Sequence, residues 1–464
     1  MKNQGFWKAF MWRPSNNKSA MASKEINKKF KICVIGTGYV GLVSGTCLSE
    51  IGHKVICVDN NKEKIKKLQN GICPIFEPGL DKMIARNRKK GRLFFTVNIR
   101  DAVKNSDIIF IAVHTPTKEN GETDLQFVEA VSKQVAKAMD GYKIIVSKST
   151  MPVKTGQKIK EIISKFCQKG IGFDVVSNPE FLREGSAIKD FLEPDRIVIG
   201  VESKKAQQIM KRIYLPIKAP IIFTCIESAE IIKHSCNAFL ATKISFINAI
   251  ANICEKNHGD VKEVAHAIGL DKRIGHSFLD AGIGFGGSCF PKDVSAFINV
   301  AQKSGYDFSL LREVEKINQR QKENFVKKIK KNISGFKNGI KNKKLGILGL
   351  SFKPNTDDMR FAPSVYIINR LLAEGAIIKA FDPVAKGNAK EIFKNKIVYC
   401  SNVFETAKNC DALIILTEWD EFKNMDLKKV KNLLKSPIII DGRNIFNPEK
   451  MKKLGFNYYS IGRK

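Results

Sequence analysis

Two short stretches of the 464-residue chain hold residue types whose spacing suits chemistry. The first is Gly284-Phe285-Gly286-Gly287-Ser288-Cys289-Phe290-Pro291-Lys292-Asp293. Proline suits the first turn of a helix, where its missing N–H costs nothing, so Pro291 places Cys289 at a helix N-terminus. There the backbone dipole and nearby cations favour thiolate, the nucleophilic form. Asp293 lies four residues beyond Cys289 and shares its helical face, where a carboxylate could orient or deprotonate a water. For any one cysteine a small buried apolar role is the plainer reading. Here the glycines, expected to let a ligand lie against the backbone, the proline and the charges argue for a nucleophile. Lys233 and Asn237, at i and i+4 among apolar neighbours, offer a cation and an amide to steady an oxyanion, though a snorkelling lysine fits the spacing equally well.

The second stretch, Gly36-Thr37-Gly38-Tyr39-Val40-Gly41, fits G-x-G-x-x-G between an apolar strand and a helix, and Asp59 closes the next strand. Glycines there permit a tight turn and the close approach of a pyrophosphate to the helix N-terminus. Asp59 can accept from both ribose hydroxyls and would repel a 2′-phosphate, so NAD is expected over NADP. Lys64, one turn further, is expected on the adenosine side.

The elements that must position these groups alternate between strand and helix from Lys31, the pattern of a parallel sheet with crossover helices. Near residue 225 the rhythm changes to a long stretch, apolar nearly all round, without glycine or proline before its end at Gly259. It predicts one helix of roughly 45 Å at 1.5 Å per residue, buried between layers or between subunits. Alternation resumes at Lys343 with KKLGILGL, AIIKAFDP, DALIILTE and PIIIDGRNIF. The expected fold is therefore α/β: an N-terminal Rossmann NAD-binding domain over 30–222, a central helical and dimerisation domain with the cysteine loop over 223–332, and a C-terminal Rossmann-like domain over 333–464. Residues 1–29, basic and rich in aromatics, lack the apolar stretch of a signal peptide and are expected to be a disordered extension.

A net charge of +33, from 79 Lys+Arg against 46 Asp+Glu, is spread over the whole chain without an arginine stripe or nucleic-acid motif. It reads as solvated lysine-rich faces rather than a DNA-binding surface. Eleven cysteines at irregular spacings show no CxxC pair and no His/Cys cluster, which argues for a reduced cytoplasmic protein without a zinc site. No apolar run reaches membrane-spanning length.

Taken together, GTGYVGL, TPT at Thr115–Thr117, KST at Lys148–Thr150, NPEFLREGSAIKD from Asn178, NAFLATKISFIN from Asn237, FLDAGIGFGGSCFPKD from Phe278 and GLSFKPNTDDMR from Gly349 resemble the UDP-glucose/GDP-mannose dehydrogenase family. The resemblance runs from about Lys31 to the C-terminus. It implies an NAD⁺-dependent four-electron oxidation of a nucleotide sugar, UDP-glucose foremost, with GDP-mannose or a UDP-N-acetyl-hexosamine as alternatives. It makes Cys289 the nucleophile, gives Lys233 and Asn237 the oxygen on the reacting carbon, and has Asp293 and Thr150 act through water, with Glu184 near both cofactor and substrate. Thr115, Pro116, Thr150, Lys292 and Arg360 join the cofactor residues. Glu180, Phe181, Leu182, Arg183, Glu184, Phe278, Leu279, Asp280, Ala281, Gly282 and Gly286 would line the sugar site. Phe352, Lys353 and, more weakly, Arg443 would reach it from the C-terminal domain, and Arg273 would reach a neighbouring subunit's substrate, which implies a homodimer or larger homo-oligomer. No metal is required. Phe361 departs from the family's pattern, where a polar residue is more typical after Arg360.

Overall fold

Apolar runs such as Lys31–Ile35 and Ile108–Ile111 are buried almost throughout, as strands covered by helices on both sheet faces must be. These runs belong to a computed structural model that describes residues 11–12, 29–118, 121–334 and 339–463. The chain divides between Ser235 and Cys236 into two compact units, each built on its own sheet.

The first unit holds β1 (Met11–Trp12), β2 (Lys31–Ile35), β3 (Lys54–Val58), β4 (Leu93–Thr96), β5 (Ile108–Ile111), β6 (Lys143–Ser147), β7 (Phe173–Ser177), β8 (Ile197–Val201) and β9 (Ile221–Thr224). Their order is β1-β9-β8-β7-β6-β5-β2-β3-β4. The run β4-β3-β2-β5-β6-β7 is parallel throughout and is the dinucleotide-binding order 3-2-1-4-5-6, with its switch point between β2 and β5. Pairing is antiparallel where β8 meets β7 and where β1 meets β9. Of the N-terminal extension, only Met11–Trp12 and Lys29 are described, so the disorder expected of the remainder lies outside the described residues.

The second unit carries β10 (Lys344–Leu348), β11 (Ile377–Phe381), β12 (Val398–Tyr399), β13 (Ala412–Ile415), β14 (Ile438–Asp441) and β15 (Asn457–Tyr459), all parallel, in the order β12-β11-β10-β13-β14-β15. This repeats the 3-2-1-4-5-6 arrangement. In both units the sheet is the centre of the core. Ile32, Val34 and Phe110 pack on one side of the first sheet, and Cys33, Ile109 and Ile111 on the other.

The helices that matter for the site are α1 (Tyr39–Glu50), α2 (Thr155–Phe166), α3 (Ala187–Leu192), α4 (Ile226–Asn257), α5 (Val261–Gly269), α6 (Phe290–Lys303) and α7 (Ser309–Ser334). Helix α4 is the long helix expected from the glycine-free stretch and is 32 residues long. It is not covered all round: Phe239, Phe246 and Ile253, seven residues apart, are 65%, 51% and 55% exposed.

Candidate active site

In the first unit the glycine turn sits between β2 and α1, at the switch point. Gly36 has φ 101°, and a Cβ there would stand 2.5 Å from the Ala112 carbonyl oxygen; one on Gly41 would stand 1.9 Å from that of Gly36. These two glycines are required by the chain's own close packing. Gly38, the residue before α1, has open space where its Cβ would be, next to the free N–H groups of the helix. That opening, at the positive end of a helix, is the feature a pyrophosphate needs. Asp59 accepts from the Thr37 amide (2.9 Å), the Thr37 hydroxyl (2.7 Å) and the Asn61 amide (3.0 Å), with the Lys64 ammonium at 3.5 Å. Burial alone would raise its pKa, but these donors outweigh it and hold the carboxyl below its usual value. An ionised acceptor at the end of β3 suits ribose hydroxyls.

A single turn of α4 gathers the next groups, all within the first unit. Lys233 is 3% exposed, with its ammonium 3.1 Å from Glu180 and over the Phe181 ring. His234 Nε2 lies 2.9 Å from the Met151 carbonyl. Glu230 accepts from the amides of Lys154 (2.7 Å) and Gly156 (2.8 Å), where α2 begins. The loop that carries Thr150 is thus held against the turn that carries Lys233. The Thr115 hydroxyl donates to the Thr150 carbonyl at 3.1 Å, which joins the TPT and KST loops. Lys148, at the end of β6, is 5% exposed and donates to Asn178 at 3.1 Å. Burial pulls its pKa down to about 8, partly opposed by Glu180 and reinforced by Lys233. Arg183 is exposed and paired with Asp190 at 2.6 Å.

In the second unit Cys289 is the residue before α6 and Pro291 occupies its first turn. The Asp293 amide donates to the Cys289 carbonyl at 2.9 Å, which closes the first helical turn and sets the two residues on one face. Asp293 is buried; Asn237 donates to it at 2.5 Å and the Lys292 ammonium lies 2.8 Å away. The structure therefore brings Asn237, Lys292 and Asp293 together, so that Lys292, expected at the cofactor, is engaged by the carboxylate.

The glycines before Cys289 have a different reason from the one expected. A Cβ on Gly286 would stand 2.4 Å from the Phe361 carbonyl oxygen, one on Gly287 2.7 Å from the Phe352 ring, and one on Gly282 3.0 Å from the Gly442 carbonyl oxygen. Gly287 also donates to the Arg360 carbonyl at 2.9 Å. On the Cβ side these glycines meet the chain's own Phe361, Phe352 and Gly442, which fixes the cysteine loop. Elsewhere Asn248 accepts from the Gly282 amide at 2.8 Å, and Asn318 from that of Phe285 at 2.8 Å. Phe278, at φ 65°, packs edge-on to Phe290, Leu279 and Ala281 are buried, and Asp280 is exposed.

At the C-terminal ends of the second sheet, Gly349 follows β10 with φ 92°, but the turn is closed from within. Asp382, after β11, takes the Leu350 and Ser351 amides at 2.7 and 3.1 Å. The Arg443 guanidinium is spent on the Leu416 and Phe352 carbonyls and on Glu418. Arg360 pairs with Asp358 at 2.7 Å and is half exposed, and the Lys353 ammonium lies over the Phe352 ring. Arg273 is 89% exposed, its guanidinium held by Asp271. Among the described residues no cluster of metal-ligating side chains occurs and no helix is long and apolar enough to cross a membrane.

Sequence reasoning passed over Glu77, Lys148, Glu230, His234 and Asp382. Lys148 stood in the KST motif without an assigned role, and Asp382 had a readable signal: it follows the apolar run of its strand as Asp59 follows β3.

Three stretches match successive domains of the UDP-glucose/GDP-mannose dehydrogenase family: residues 30–218 its NAD binding domain, 227–320 its central domain and 346–448 its UDP binding domain. A UDP-glucose 6-dehydrogenase of Bacillus subtilis is 51% identical over 433 residues, covering 93% of each chain. One of Rhizobium meliloti is 44% identical, covering 93% of this chain and 99% of its own. Among solved structures, a UDP-glucose dehydrogenase from the archaeon Pyrobaculum islandicum matches with a TM-score of 0.87 at 33% identity, covering 94% of this chain and 98% of that one.

Proposed function

The chain belongs to the UDP-glucose/GDP-mannose dehydrogenase family, and we propose that it oxidises C6 of UDP-glucose twice, giving UDP-glucuronate and two NADH. The observation that carries this is Cys289 at the start of α6, one turn from a buried Asp293 that Asn237 holds in place. An alcohol dehydrogenase that stops at the aldehyde has no use for a nucleophile so placed.

When bound, NAD⁺ accepts a hydride at each of the two oxidations. Gly38 and the N-terminus of α1 would take its pyrophosphate and Asp59 its ribose. Cys289 adds to the aldehyde carbon, forming a C–S bond; the resulting tetrahedral carbon can yield the second hydride, which an aldehyde cannot do directly. Lys233 and Asn237 steady the oxygen on that carbon as charge develops. Loss of the second hydride leaves a thioester. Water guided by Asp293 and Thr150 attacks it, the C–S bond breaks, and the carboxylate leaves with the cysteine restored. Glu180, Glu184 and the loop between them, with the 278–282 segment and Lys353, would hold the nucleotide sugar, while Arg443, engaged by Leu416, Phe352 and Glu418, would brace the loops beside it.

The heptad-spaced Phe239, Phe246 and Ile253, with exposed Leu270, Arg273 and Ile274, support a homodimer built on α4, with Arg273 offered to the partner. Eleven cysteines, none of them in a disulfide, support a reducing, cytoplasmic setting.

Initial rates with UDP-glucose, GDP-mannose and UDP-N-acetylmannosamine test the substrate. UDP-glucose should lead in kcat/KM by at least about a hundredfold, since buried polar groups left unpaired by the wrong sugar are costly. Equal turnover of another nucleotide sugar would overturn the assignment.

A further inference from the structure

Glu77 has no role in the reaction above, yet it stands between the two loops that the reaction needs. It is 6% exposed, in the loop that precedes a helix over Leu80–Lys89. Its carboxylate accepts from the Gly185 amide at 2.7 Å and the Ala187 amide at 2.8 Å, and the Tyr39 hydroxyl donates to it. The Gly185 amide also donates to the Tyr39 hydroxyl oxygen at 2.9 Å. Tyr39 is the first residue of α1, directly after Gly38 of the cofactor cradle. Gly185, at φ 83°, directly follows Glu184 and ends the 180–184 segment.

A buried carboxylate is costly unless donors satisfy it, and charge-assisted donors are the strongest. Here the donors come from Tyr39, which opens α1 behind the cofactor cradle, and from Gly185 and Ala187, which join the 180–184 segment to α3. Burial and the neighbouring Glu77 charge hold the Tyr39 hydroxyl well above its usual pKa, so it remains a donor. Neither loop can move without stranding Glu77 or breaking the bonds of the other. Ordering one loop therefore lowers the cost of ordering its neighbour, which is how two sites acquire a coupling free energy.

We propose that Glu77 couples the cofactor cradle to the nucleotide-sugar loop, so that filling either site tightens the other. This rests on the reading that residues 180–184 line the sugar site. Glu77 is a positioning residue, acting through Tyr39 and Gly185.

Calorimetry on the full chain tests it, with UDP-glucuronate as a probe that NAD⁺ cannot oxidise further. NAD⁺ affinity is measured alone and with saturating UDP-glucuronate. The expected tightening in the parent protein is about tenfold, within the usual range for coupled sites. In Tyr39→Phe the ratio should fall below about twofold, while UDP-glucuronate alone binds within about threefold of the parent, because the Gly185 and Ala187 bonds to Glu77 remain. Taking a ratio cancels any direct loss of NAD⁺ affinity in that variant. Glu77→Gln sets an amide NH₂ against a backbone donor and should lose both the coupling and part of the UDP-glucuronate affinity. No tightening in the parent protein, or full tightening in Tyr39→Phe, overturns the proposal. Absence of any UDP-glucuronate binding to the parent protein instead removes the substrate reading, and the coupling with it.

Discussion

Replacing Glu230 by glutamine should remove a pH dependence from the stability of the first unit. Glu230 is 3% exposed on α4 and accepts the Lys154 and Gly156 amides at the start of α2. Burial raises its pKa from 4.5 to about 7; the two amides pull the other way and Glu227, one turn earlier, adds to the rise. Between those values the folded protein keeps a proton that the unfolded chain has released. The stabilisation is complete below pH 4.5 and is lost as pH rises through 7. The difference corresponds to about 3 kcal/mol. Glutamine does not titrate, but its NH₂ faces one of the two backbone donors, a cost of about 1–3 kcal/mol that is the same at every pH. The stability of Glu230→Gln relative to the parent should therefore rise by about 3 kcal/mol between pH 5 and pH 8, whatever that constant cost. Urea denaturation followed by far-ultraviolet circular dichroism at the two pH values reads this directly. The same difference between variant and parent at the two pH values would refute the reasoning and show that the two backbone amides outweigh burial.

Other substitutions probe the chemistry. Cys289→Ser should complete the first oxidation but slow formation of the acid by about a thousandfold or more, measured as UDP-glucuronate by chromatography. Lys233→Ala leaves the Glu180 carboxylate buried without its cation at 3.1 Å. It should cost about 3 kcal/mol of stability by denaturant titration and about a hundredfold in kcat. Asp59→Asn should raise the KM for NAD⁺ about tenfold and narrow its advantage over NADP⁺, because the repulsion of a 2′-phosphate is gone.

The central parallel strands of both sheets were legible because strands buried on two faces read as continuous apolar runs, whereas β4, β8, β9, β12 and β15, and the antiparallel pairing of β8 on β7, were not read. The glycine turn and Asp59 were legible because backbone geometry restricts residue type there. The glycines at 286 and 287 show the limit of that logic. Glycine records that something comes close, and sequence does not say whether it is a ligand or, as here, Phe361 and Phe352. The reach of α4 was legible from its length, whereas its exposed Phe239 and Phe246 follow from which neighbours cover it. Glu77 and Glu230 lie 108 and 74 residues from Gly185 and Gly156. A carboxylate satisfied by distant backbone amides leaves no local spacing to read.

The central claim is that one catalytic centre removes four electrons from one sugar. Limiting UDP-glucose, incubated to completion with excess NAD⁺, yields NADH by absorbance and product by chromatography. Two NADH for each UDP-glucuronate formed is the predicted result, with no free aldehyde accumulating. One NADH per sugar with the aldehyde as end product, or an unchanged yield of acid from Cys289→Ala, would contradict it.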